Sequence, residues 1–316
     1  MTEKVDHTPD SLQSWLQKEF GSELDLKIIF DESVLFEIVG KDDFEINLKK
    51  LESEQKVNVV SSLLMTGFIH LKFSVTEDDS SVKESNISTF SDEFVPWFEK
   101  LTEGKILIPD TNTILNRTMT SLSLMSQSEL LEHIVLQIPR LVILEMERKA
   151  NDSGNKKLID KRKTFLGYAE LMELKNFGSQ PMKELEQETL IGFSGISGTT
   201  HTDALIRREI SEAKLNDKNS QIINDYTLIT SDMVNSLSAI AEGINTIYVS
   251  KIPNWENNIR KGNIFQIARL LITTSSLFEK ITLSNGSKKF DIEGMWEGKN
   301  NSDWFDQKVF VTSNNN

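Results

Sequence analysis

From Lys105 onward, short apolar runs alternate with amphipathic stretches, and two of those runs end in an acid. This alternation constrains the fold more than any other feature of the chain. KILIP runs into Asp110, YTLITS runs into Asp232, and INTIYV supplies a last run at 244–249. RLVIL (140–144) and TLIGFSG (189–195) read as further strands, and Glu145 follows the first of them. Between the runs, SQSELLEHIVLQ (126–137), the stretch 146–178 and TDALIRREISEAKL (202–215) carry apolar residues every three or four positions, the spacing of a helix. Thr202 is the expected N-cap of the last. MVNSLSAIAEG reads as a helix closed by Gly243. Strands alternating with helices predict an α/β unit over 101–252, a three-layer α/β/α arrangement with a mainly parallel sheet.

The flanks read differently. Residues 1–20 suggest a helix, with Leu12, Trp15, Leu16 and Phe20 on one face. LDLKIIF and VLFEIVG alternate and are separated by a turn at DES, and FEINLKKL adds a strand. VNVVSSLLMTGFIHLKFSV (57–75) fits either a helix or a pair of strands. Residues 76–93 are polar and Ser-rich, a linker pattern. The expectation is a small α+β module at 1–98. At 253–316 it is a helix around FQIARLLITTSSLF followed by strands, with NGS at 285–287 as a turn.

Composition excludes several chemistries. The chain has no Cys, which removes disulfides, thiolate metal sites and Cys nucleophiles. No apolar run reaches the ~18 residues of a membrane span. The N-terminus is polar and does not read as a signal peptide, so a cytoplasmic location is expected. Net charge is −13, which argues against a generally basic nucleic-acid coat. The charge is unevenly spread. Residues 1–100 hold 10 Lys, no Arg and 21 acids, whereas 140–163 hold 8 basic and 4 acidic residues. The acidic N-terminal part suits a protein partner or self-association.

In an open α/β sheet, ligands bind beyond the carboxyl ends of the strands. Asp110, Glu145 and Asp232 are expected there, and Asp203, at the start of a helix after TLIGFSG, can enter the same crevice. Any one such Asp is more often a helix cap or turn residue; four in register in one unit are harder to ascribe to chance. Carboxylates crowded together repel, and a divalent cation relieves the repulsion. An oxygen-only donor set, with neither Cys nor His-x-x-x-His, suits Mg²⁺ or Mn²⁺. Phosphodiester hydrolysis is the chemistry that needs such a site.

These segments resemble the PIN domain, a metal-dependent nuclease fold. ILIPDTNTIL is similar to the family's first motif, PRLVILEMERKA to its second, HTDALIRREISEA to its third and LITSDMVNSLSAIAEGINTIYV to its fourth. The resemblance implies metal ligation by Asp110, Glu145, Asp203 and Asp232, with Asn112, Thr230 and Ser231 in support. FLGYAELMEL and DALIRREI are similar in detail to archaeal proteins that join a PIN domain to an ATPase and a KH domain. This chain has no Gly-x-x-x-x-Gly-Lys-Ser/Thr loop and hence no such ATPase. The 57 residues between Glu145 and Asp203 are more than a minimal single-domain toxin of the family carries. The implied activity is a ribonuclease, an endonuclease on single-stranded RNA. A DNA or flap nuclease, or a PIN scaffold that binds RNA or protein without cutting, stands beside it.

Further residues have two readings. In KKLIDKRK, the side chains of Lys156, Lys157, Lys161 and Arg162 either contact phosphates or cover a solvated helix face. Arg207, four residues after Asp203, either steadies a carboxylate or touches phosphate. Asn235 either reaches the site or lies on the helix surface. His201 has at most a minor site role, and His133 is structural. Trp255, Trp296 and Trp304 stack on bases or, better, pack in a core.

Overall fold

The computed structural model describes residues 4–76, 87–126, 134–151, 158–177, 202–219, 225–286 and 288–314. The chain is mixed α/β, with two sheets. The first has seven antiparallel strands: β1 (Lys4–His7), β2 (Glu23–Phe30), β3 (Ser33–Lys41), β4 (Asp43–Leu48), β11 (Lys280–Asn285), β12 (Lys288–Glu293) and β13 (Val309–Ser313), in the order β1-β13-β12-β11-β2-β3-β4. The second has six: β5 (Leu71–Thr76), β6 (Ile87–Ser88), β7 (Lys105–Pro109), β8 (Val135–Leu136), β9 (Asp225–Thr230) and β10 (Asn245–Lys251), in the order β6-β5-β10-β9-β7-β8. In it β10, β9, β7 and β8 are parallel, while β5 and β6 join antiparallel.

Strict alternation makes the first sheet. Leu24, Leu26 and Ile28 of β2 are buried while Glu23, Asp25 and Lys27 are exposed, so one face is apolar. The β2–β3 turn falls at Asp31–Glu32, both at positive φ (48° and 66°), the backbone sign that two-residue hairpins require. Helices α1 (Pro9–Phe20), α2 (Ser53–Met65) and α10 (Ile264–Phe278) pack with this face into one core. Helix α10 starts at a capping box between Asn263 and Gln266 and is buried nearly all round, as a central helix must be. A second core gathers Phe73, Phe94, Phe98, Leu107, Ile108, Leu228, Ile229 and Ile247 around the six-stranded sheet.

Several sequence expectations change. Lys4–His7 is a strand, so the N-terminal helix is shorter than 1–20. Residues 57–75 resolve into α2 followed by β5. IVL, expected within a helix, contains strand β8. RLVIL, expected as a strand, opens helix α6 (Arg140–Asn151); its β-branched residues favour a strand only weakly, and packing overrides that preference. TLIGFSG and most of the 76–93 linker lie outside the described residues. The division at 98 and 253 does not coincide with the sheets. Strands β5 and β6 belong with the parallel strands, and β11–β13 complete the sheet begun by β1–β4.

A buried ionic lattice joins the two cores. Arg117 is almost fully buried and lies between Glu170 (3.6 Å) and Glu173 (2.9 Å) of helix α7 (Leu158–Phe177). Arg269 of α10 reaches Glu173 at 2.7 Å. Gln307, just before β13, accepts from Arg117 at 2.9 Å and donates to Glu173. The backbone amides of Met119 and Thr120 donate to Glu170. Burial pushes the Glu173 carboxyl up, but the Arg117 and Arg269 guanidinium groups more than offset it and hold it at about 2, against an ordinary 4.5. Glu173→Gln keeps the volume but takes the carboxylate from Arg269 and leaves Arg117 only Glu170, so it should lower unfolding stability by ~3–5 kcal/mol in urea titrations at pH 7. Because the folded-state value is depressed, Glu173 stabilises fully above pH 4.5, and this contribution is lost as pH falls from 4.5 toward 2. The variant should therefore lose stability less steeply across that window; parallel curves would show that Glu173 is not paired in solution.

Candidate functional site: four carboxylates at the parallel-strand edge

Asp110 follows β7 directly. Its amide donates to Ile229 O at 3.1 Å, carrying the β7–β9 pairing one step beyond the strand. It is also the N-cap of α4 (Thr111–Leu115), with Thr113 N donating to Oδ1 at 2.8 Å. Oδ2 accepts from Thr230 Oγ1, in a close contact, and from Asn235 Nδ2 at 3.1 Å. The carboxyl group is completely buried, and every one of these donors is neutral. Burial pushes its pKa up, and the bonds from Thr230, Thr113 and Asn235 draw it back.

Asp232 stands two residues past β9 and caps α9 (Met233–Ala241), with Oδ1 accepting from Val234 N (2.8 Å) and Asn235 N (3.1 Å). Its own amide donates to Thr230 Oγ1 at 3.0 Å. The Thr230 hydroxyl thus accepts from one acid's backbone and donates to the other acid's side chain. Glu145 arrives from the middle of α6 rather than from a strand end, which corrects the sequence expectation of its setting. It still reaches the same place, because Thr111 Oγ1, beside Asp110, donates to Glu145 Oε2 at 2.6 Å. Lys149 pairs with its other oxygen at 2.9 Å.

Asp203 lies in the first turn of α8 (Thr202–Asn219). Burial, followed by the charges of Asp110, Glu145 and Asp232, raises its pKa from 3.8 to about 6; Arg207 opposes the rise. The four acids are therefore close enough to feel one another. Oxygen donors of this kind could hold a hard divalent cation, which would offset the negative charge that, after burial, raises the Asp203 pKa. As placed, no group of three or more acid or His side chains among the described residues converges tightly enough to grip an ion.

The supporting residues divide. Asn235 is at the site: besides holding Asp110, its Oδ1 accepts from Arg207 Nη1 at 2.7 Å. Arg207 is buried, and its Nε donates to both oxygens of Glu242 at 3.0 Å, which steadies the Nη1 bond to Asn235. Ser231 accepts from Asn116 Nδ2 at 3.2 Å. Asn112 is half-buried in α4, and its carbonyl accepts from Asn116 N. Arg162 is buried and caps α10, donating to Leu277 O at 2.7 Å and pairing with Glu279 at 2.5 Å, so it follows neither of its two readings, a phosphate contact or a solvated helix face. Lys161 is exposed on α7. Lys156, Lys157, His133 and His201 lie outside the described residues. The tryptophans are occupied. Trp255 is in the first core; Trp304 stacks on Phe165 at 4.7 Å, Trp296 leans on Phe310, and Lys299 sits over both rings. Sequence reasoning missed Thr111, Thr113 and Glu242. The first two lie in the Asp-x-x-Thr cap pattern and were legible there, whereas nothing local marks Glu242.

No protein-family model matches the chain, and no curated protein matches it. A solved structure that aligns, a domain of a functionally unknown protein from Methanocaldococcus jannaschii DSM 2661, is 19% identical. The match covers 48% of this chain and 94% of that one, with a TM-score of 0.36. A likeness that low carries no argument about fold or function. No helix among the described residues is long and apolar enough to cross a membrane.

Shared charge makes a direct prediction. Asp232→Asn keeps the helix cap but removes one of the three negative charges acting on Asp203. The Asp203 titration midpoint, followed by carboxyl-carbon NMR, should move down from about 6 toward its ordinary value. An unmoved midpoint would mean that the two acids do not share a crevice.

Proposed function

We propose that the chain is a PIN-type nuclease that cuts single-stranded RNA internally, with Mg²⁺ or Mn²⁺ held by Asp110, Glu145, Asp203 and Asp232. The observation that supports this reading is geometric: Asp110 and Asp232 follow neighbouring parallel strands and share the Thr230 hydroxyl, and Thr111, beside Asp110, donates to Glu145. A PIN-like three-layer arrangement is the fold reading that goes with it, and a cytoplasmic location the companion expectation. RNA is preferred over DNA by family analogy alone. A protein partner or self-association through the acidic N-terminal part is proposed for the flank.

The acids divide the labour by their contacts. Asp110 is immobilised by three neutral donors and sets the floor of the site. Asp232 and Glu145 each carry protein hydrogen bonds that fix one oxygen. Asp203, whose proton affinity is raised to about 6 by burial and then by the neighbouring acids, is the group suited to take a proton from attacking water. A divalent cation held by these acids would neutralise charge that gathers on the phosphoryl oxygens and lower the pKa of a bound water. The scaffold alternative draws on one observation: Asp110, Glu145 and Asp232 already have protein partners, as non-catalytic acids would.

Asp203→Asn separates the two readings more cleanly than a change at Asp110. At 110 an amide would meet the Asn235 NH₂, whose carbonyl is already engaged by Arg207. Asp203 resists ionisation, so Asn there should leave stability unchanged or raise it in EDTA at pH 7. Mn²⁺ at a hundredfold excess over its dissociation constant should protect the wild type by about 2.7 kcal/mol, and the variant by less. Cleavage of labelled single-stranded RNA should disappear in the variant. Equal protection and equal cleavage would overturn the assignment; protection without any cleavage by the wild type would favour the scaffold.

A further inference from the structure

Lys149 pairs with Glu145 and Arg207 with Glu242. Among the described residues, Lys163 and Lys251 make no ion pair. Lys251 ends β10, which runs parallel to β9 with Tyr248 opposite Thr230. The strands thus bring Lys251 to the same edge as Asp232. With strands about 4.8 Å apart and a rise of about 3.3 Å per residue, Lys251 lies roughly 10 Å from the end of β9. Its side chain is exposed, with Nζ 5.6 Å from the Trp255 ring centre.

Lys163 comes from α7. Gly167, one turn on and on the same helix face, packs against Ile114 and Leu115 of α4 and Met146 of α6. An added Cβ would lie 2.9 Å from Met146 Cε. That face of α7 therefore lies against the helix capped by Asp110 and the helix that carries Glu145. Lys163 is half-buried there. Among the described residues neither lysine has a carboxylate in ion-pair contact. Asp160, on the preceding turn, is exposed and acts on Lys163 without pairing; Glu256, near Lys251, pairs with Lys56 at 3.3 Å. Burial lowers the proton affinity of Lys163, and the like charge of Lys251 lowers it further.

We propose that Lys163 and Lys251 form a phosphate-binding step on the rim of the four-carboxylate crevice, and that this step takes the sugar–phosphate backbone of a single-stranded nucleic acid. The choice of polyanion rests on the nuclease reading. Two neighbouring ammonium groups, one of them drawn out of water, lack the anion that would balance them. A chain of linked phosphodiesters can place one phosphate at the acids and the next on the lysines. Free phosphate would gain from only one of the two sites.

The test is fluorescence anisotropy with a 5′-fluorescein oligo(U) 12-mer in Ca²⁺, with a gel confirming that the strand stays intact. Lys251→Gln and Lys163→Gln should each weaken binding and reduce the slope of log K against log salt by about 0.7. Lys251→Arg should retain both. Lys18→Gln, exposed on α1 far along the chain, should change neither, which separates a local contact from net charge. An unchanged slope in the Lys251 and Lys163 variants, equal weakening in Lys18→Gln, or no binding by the wild type would overturn the proposal. Cleavage of the same strand in Mn²⁺ is scored separately. Cutting that ignores both lysines leaves the nuclease reading and removes the step; lysine-dependent binding without cutting leaves the step and removes the nuclease.

Discussion

A fully buried carboxylate with only neutral donors around it is expensive, and the local architecture is arranged to supply those donors. Asp110 needs Thr113 N from the helix it caps, Thr230 from the neighbouring parallel strand and Asn235 from the helix after that strand. These groups meet only if β7 and β9 keep the register Pro109 to Ile229, because the Asp110 amide must also find the Ile229 carbonyl. Thr113 Oγ1 donates to that same carbonyl at 3.0 Å. One side chain therefore fixes a strand register, a helix start and the position of a second helix. Such a network, once satisfied, is rigid, which is what a site that must hold charged groups close together needs.

The far end of α4 is held as firmly by different means. Arg117, just beyond the helix, takes a left-handed φ of 50° and sends its guanidinium into the lattice of Glu170, Glu173 and Gln307. A non-glycine residue in that region is strained by about 1–3 kcal/mol and persists where its surroundings over-determine it. Gln307 also has positive φ, at 52°. Through these two residues the segment that leads into β13 touches the helix that begins at Asp110. The seven-stranded sheet, assembled from both ends of the chain, thereby braces the element that orients the deepest acid.

What could be read from the sequence follows from the range of each signal. KILIP, YTLIT and INTIYV were legible as strands because short apolar runs bounded by turn residues are a local pattern, and the acids after two of them mark the carboxyl edge. The hairpin at Asp31–Glu32 was equally local. The pairing of β1 with β13 joins residues 4–7 to 309–312, and no local pattern reports a partner three hundred residues away. RLVIL was misread because a β-branched run looks the same in a buried strand and in a buried helix turn; Val142 is indeed fully buried, but on α6. Glu145 was placed among the acids from a motif even though its setting was wrong, since Thr111 reaches it from the first motif. Arg162 was legible as a cation near the second motif, but its direction depends on α10, which only tertiary packing brings beside it.

Net charge and site charge act at different ranges. Most of the excess acid lies in residues 1–100, where most of the described charged side chains are exposed, and such charges are screened over a Debye length of about 8–10 Å in ordinary salt. The fields that decide what enters the crevice come from groups nearer than that, chief among them the acids whose charges meet at Asp203. Of the four acids, Asp110, Glu145 and Asp232 have oxygens committed to protein donors, whereas Asp203 takes its character from burial and then from the other three charges. A cation entering the crevice would change the state of Asp203 most and the positions of the others least. The carboxylate that is least tied to the fold is therefore the one whose protonation reports on what the crevice holds.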